Sequence, residues 1–185
     1  MTGAAAAVGG SLALAAVSTI GDFIWATWLA QHRAIYGLIH GTVLFLAMGS
    51  CLGWMTGRLA PGAAGGAAIG LAAAGAFYLL APMIGYSAMF VAWFGVWIAL
   101  AVLYGRLKSG RVQPGTVLSR GIVAAVASGL AFYLISGIWQ PFNPQGLDYA
   151  VHFGAWMLAY FPGFSALFLG RRPRTQEGSR HTKAI

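Results

Sequence analysis

The sequence predicts an all-α integral membrane protein, a six-transmembrane-helix bundle with both termini on the cytoplasmic side. Three observations carry this. Hydrophobic residues make up 59% of the 185 positions and charged residues 8%, with a mean hydropathy of +0.74, a composition that a water-soluble domain of this size does not have. Six apolar runs approach the roughly 20 residues that cross a bilayer core as a helix. When those runs are threaded in turn, ten of the eleven Lys and Arg residues fall on one side.

The runs occupy residues 4–30, 34–56, 63–82, 86–104, 117–139 and 148–169. Their length, and the absence of the period-2 alternation that membrane strands need, point to helices and not to a barrel. No Lys or Arg precedes the first run, which continues through Trp25 and Trp28, so it is expected to be a retained helix and not a cleaved signal. The second run carries Gly37 and Gly41, then Gly49, Gly53 and Gly57 in GSCLGWMTG. The third carries Gly66 and Gly70 in AAGGAAIGLAAAGA. Small residues at four-residue spacing let helix backbones approach in lipid, which predicts that spans two and three pack on each other, with a homo-oligomer seam as the alternative.

The fourth run supplies Tyr86, Phe90, Trp93, Phe94 and Trp97, and the sixth Trp156, Tyr160 and Pro162. Proline inside a helix removes a hydrogen bond and bends the axis. With hollows at Gly85 and Gly95, this predicts a cavity open sideways to the bilayer, near Pro162 and the aromatic wall of span four. These eight residues are its expected ligand-binding lining. Trp25, Trp28, Tyr36, Trp139, Phe142 and Tyr149 fall near the span ends, where belt aromatics belong.

Orientation follows from the basic residues, because cytoplasmic loops are enriched in Lys and Arg. Arg58, then Arg106, Lys108, Arg111 and Arg120, then Arg171, Arg172, Arg174, Arg180 and Lys183 share one side, and Arg33 alone takes the other. Residues 1–170 form the bundle and residues 171–185 a basic, flexible cytoplasmic tail. The net charge of +8 reads as this topology signal plus contact with anionic headgroups. No nucleic-acid partner is expected.

A single cysteine, Cys51, excludes an internal disulfide. Phosphate-loop, HExxH and GxSxG signatures are missing, so no catalytic residue, cofactor or metal is assigned. The polar residues that remain gather at the outer end: Asp22, His32, Arg33 and His40 around the first turn, and Asp148 with His152 opening span six. A lone carboxylate in apolar surroundings pairs or neutralises. The expected pairs are Asp22 with Arg33 or His40, and Asp148 with His152. The cluster reads as interhelical hydrogen bonding with Asp148 capping span six, as a lid over a lipid cavity, or as a metal or acid/base site.

The second half also resembles the Insig family of six-helix membrane proteins. The residues that carry the resemblance are Arg106, Lys108, Ser109 and Gly110 in GRLKSG, Gly137 and Gln140 before the proline turn, Leu147 and Tyr149 opening span six, and Gly170 with Arg171 at its end. The first half is similar only through IYGLIHG and the span count. The resemblance implies a non-enzymatic protein with cytoplasmic termini. Animal Insig proteins bind oxysterols within the bundle and retain a sterol-sensing partner; bacterial relatives hold a membrane lipid and form homo-oligomers. Animal members have aspartate just before the basic loop, where this chain has Gly105, so retention of that partner is not implied. The Ala/Gly-rich helices and short leading segment look bacterial. The expected function is binding of a diacylglycerol- or sterol-like lipid in an intramembrane cavity, as a lipid sensor or regulatory scaffold in the inner membrane. The alternative is a small membrane enzyme or proton-coupled carrier built on the Asp/His cluster.

Overall fold

A computed structural model of the chain describes residues 3–24, 33–110, 113–135 and 145–168. All regular structure among them is helical: α1 (Gly3–Ile24), α2 (Arg33–Met55), α3 (Leu59–Ile84), α4 (Ser87–Ser109), α5 (Pro114–Ile135) and α6 (Asp148–Phe168). Each is long and apolar enough to cross a membrane. The bounds differ from the sequence reading where local chemistry decides them. Helix α3 begins a turn early, because Pro61 is tolerated in a first turn, where the missing N–H has no partner to lose. Helix α4 runs past Tyr104 to Ser109 and is closed by Gly110 in the left-handed conformation at φ 67°, its N–H bonded to the Arg106 carbonyl. Pro114 opens α5 with its φ preset.

Successive helices pack on each other, and α6 returns to α1, closing a ring of six. The turn from α2 to α3 is short, with Gly57 at φ 70°, a conformation that costs a side-chain-bearing residue energy. The interior is filled by Leu14 of α1, Met48 and Leu52 of α2, Trp97 and Leu100 of α4, Ala124 of α5, and Tyr160 and Phe164 of α6.

The glycine seam lies within the chain. A Cβ built on Gly66 would stand 2.8 Å from Gly49 Cα, and one on Gly62 would stand 2.6 Å from Gly53 Cα. Helix α3 therefore rests on α2 backbone to backbone, and its buried residues are Gly62, Gly66 and Gly70. Its other flank meets α4 with alanine methyls. Those are too short to fill the space.

Several hydroxyls inside the helices are satisfied locally or across helices, although Thr19 Oγ1 and Ser165 Oγ are buried without a hydrogen-bond partner among the described residues. Ser11 bonds the Ala7 carbonyl at 2.7 Å, and Thr42 bonds the Leu38 carbonyl at 2.7 Å. Beside Pro162, Ser128 of α5 donates to the Ala159 carbonyl at 2.5 Å and accepts from Trp93 Nε1 at 3.2 Å. Ser128 thus joins α4, α5 and α6 one turn before the proline.

Candidate functional site

Two features remain after packing is accounted for: a polar knot where α1 ends and α6 begins, and an apolar groove on the flank of α3 and α4.

The knot is built on Asp22, in the last turn of α1. Its Oδ2 lies 2.8 Å from His152 Nε2 and accepts the Trp156 Nε1 proton at 2.8 Å. His152 and Trp156 are one turn apart on α6, so both face α1 together, and their nitrogens are 3.2 Å apart. The His152 side chain is 11% exposed and that of Asp22 32%. On the other flank of α1, Tyr36 of α2 donates to the Gly21 carbonyl, and His40 stacks on Tyr36 with centroids 5.5 Å apart. Gly21 is required here, since a Cβ would collide with the His40 ring. One turn deeper, Ser18 and the Tyr160 hydroxyl are hydrogen-bonded at 2.8 Å.

The expected pairing is thereby corrected. His152 belongs to Asp22 and not to Asp148. His152 turns inward against α1, whereas Asp148 is exposed in the first turn of α6, where its Oδ2 accepts the Gln145 backbone N–H at 3.1 Å. Asp148 therefore bonds backward to the entering chain. His40 lies against Gly21 and Tyr36, while His32 and the side chain of Arg33 are outside the described residues. So are Trp25, Trp28, Trp139, Phe142, Arg111 and the tail from residue 169 onward. Tyr36, expected at the belt, is buried and serves α1. Among the described residues no three His, Cys, Asp or Glu side chains converge as a metal site.

The aromatic residues also do something other than line a gap. Trp93 stacks on Phe132 at 5.3 Å and on Tyr160 at 5.5 Å, and Trp156 stacks on Tyr160 at 5.4 Å. Trp97, 1% exposed, meets Phe164 edge-on at 5.6 Å and covers Gly163, where a Cβ would stand 2.3 Å from the indole. The indole therefore occupies the space over Gly163, the residue after Pro162. Phe90 packs partly against Phe132. Tyr86 and Phe94 are exposed.

A groove opens on the opposite face of α4. It measures about 420 Å³ and runs between Ala68, Ile69, Ala72, Ala73 and Ala76 of α3 and Val91, Ala92, Gly95, Val96 and Ala99 of α4. Leu103 packs over Gly65 one turn beyond, toward the Arg58 end, and narrows it there. A Cβ on Gly95 would meet nothing within 4 Å, so that glycine is part of the opening. Sequence reading named Gly95 but missed the alanines opposite, whose spacing marks helix contact as readily as a groove.

Compared with protein-family models, curated proteins and solved structures, the chain matches none.

Proposed function

We propose that this chain is a multi-pass protein of a bacterial inner membrane that holds the hydrocarbon part of a lipid in the groove between α3 and α4. It acts as a lipid sensor or regulatory scaffold and not as an enzyme. The carrying observation is the groove itself: every lining residue is Ala, Gly, Val or Ile, with no polar side chain. A chain or ring of a diacylglycerol- or sterol-like molecule entering it gains dispersion contacts on two sides. The Insig resemblance of the second half supports the same class of ligand, together with homo-oligomers.

Filling the groove should exclude its occupant. Gly95→Phe places a ring in open space, so the fold assembles while co-purifying lipid, measured by extraction and mass spectrometry, falls severalfold. Wild-type lipid content in a well-folded Gly95→Phe protein would rule the groove out as the binding site.

The Lys/Arg count supports cytoplasmic termini. A reporter fused after Ile185 is expected to be active only on the cytoplasmic side, and external activity would reverse the orientation. A second reading, a small enzyme or proton-coupled carrier, is favoured by the 2.8 Å contact of Asp22 with His152. It requires an activity that Asp22→Asn abolishes in a protein of unchanged stability.

A further inference from the structure

We propose that Tyr104, Lys108 and Arg120, at the corner where α4 ends and α5 begins, bind the phosphate of an anionic phospholipid. The inference rests on the membrane reading above and is independent of the groove. Lys108 Nζ stands 5.8 Å from the centre of the Tyr104 ring, and Arg120 lies in the second turn of α5, one turn after Val117, which packs against Gly105 next to Tyr104. Tyr104 is in turn held edge-on by Phe168 at the end of α6, with centroids 5.4 Å apart. Gly105 lets α5 come close, since a Cβ there would stand 2.9 Å from Val117 Cγ2. Three helix ends thus meet around Tyr104, with Lys108 on α4 and Arg120 on α5.

Neither cation is neutralised within the described residues. Their one ion pair joins His152 to Asp22. The acidic residues of the chain are Asp22, Asp148 and Glu177. The first two sit at the opposite end of the bundle, and Glu177 lies outside the described residues. Arg120 is half-buried, and a charge partly withdrawn from water needs a counter-charge. Where helices of membrane length end, headgroup phosphates are the counter-charge at hand. The chemistry fits. Guanidinium matches two phosphate oxygens, ammonium adds a point charge, and the phenol O–H is a neutral donor.

The test uses the full chain in vesicles of phosphatidylcholine with phosphatidylglycerol, after flotation shows incorporation. Protein that does not incorporate overturns the membrane reading and this proposal with it. The readout is the phosphatidylglycerol retained per protein after detergent extraction. Arg120→Gln with Lys108→Gln should lower it roughly tenfold, the scale of losing charge-assisted contacts. Arg58→Gln with Arg106→Gln removes the same charge from exposed positions and should leave it within about twofold, as screened surface charges do. Equal losses in the two double variants would mean diffuse charge and overturn the site, as would release of the lipid by millimolar inorganic phosphate, which would identify a free-anion site. Should Arg120→Gln with Lys108→Gln fail to fold, Tyr104→Phe keeps the ring and removes one donor; unchanged retention in that variant would also overturn the proposal.

Discussion

Gly66→Ala is expected to cost about 3 kcal/mol or to prevent assembly, the upper range for forcing extra atoms into a packed interior. The new methyl would be driven into the Phe45 carbonyl oxygen and to within 2.9 Å of the Gly49 backbone nitrogen. These are main-chain atoms. They cannot rotate away, so α2 and α3 must separate along their whole seam. Gly49→Ala should behave alike, since its Cβ would lie 2.7 Å from Gly66 Cα. Gly75→Ala on the same helix α3 is the control: a Cβ there meets nothing within 4 Å, and the change should stay within about 1 kcal/mol. Thermal unfolding in one detergent compares all three. If Gly66→Ala melted with wild type while Gly75→Ala did not, the seam would not be what holds α3 on α2.

Asp22→Ala should cost about 2 to 3 kcal/mol, because it removes the carboxylate oxygen that joins α1 to both His152 Nε2 and Trp156 Nε1. About a third of the Asp22 side chain is exposed, and solvent screening keeps the effect below that of a fully buried pair. Asp22→Asn retains one acceptor oxygen and should cost roughly half as much. Asp148→Asn touches a single exposed contact to Gln145 N–H and is expected to cost no more than about 0.5 kcal/mol. Equal destabilisation by Asp22→Ala and Asp148→Ala would show that the knot does not tie α1 to α6. A fluorescence change on Asp22→Ala that is abolished by also replacing Trp156 with Phe would report the same contact directly.

Much of the fold was legible before any coordinates. Hydropathy marks each helix because an apolar medium leaves the backbone no partners but its own, so run length alone locates α2 and α6 almost to the residue. Glycine spacing announced the α2–α3 seam for a similarly direct reason: side chains one helical turn apart share a face, so a row of absent side chains is a row of close approach. Boundaries were less legible at α3 and α4, where Pro61 and the GRLKS segment look like loop yet fit a first and a last helical turn.

The site is a different matter. Sequence placed Asp22, His40, Asp148 and His152 at one end of the bundle, because an alternating topology sends every second turn to the same side. It could not say which carboxylate takes which imidazole. Asp148 and His152 are neighbours in sequence, whereas Asp22 and His152 are 130 residues apart, and their pairing depends on the rotation of α1 and α6 about their axes. That rotation is decided by burial of Leu14, Ser18 and Gly21 against neighbouring helices, which no single run reveals. The same holds for the opening. Trp93 and Trp97 could have lined a cavity or filled one, and a sequence shows side-chain volume but not the volume left for it. Only the packed bundle shows the indole of Trp97 occupying the space over Gly163, while α3, drawn onto α2 by its glycines, leaves a gap beside the short alanine side chains facing Gly95.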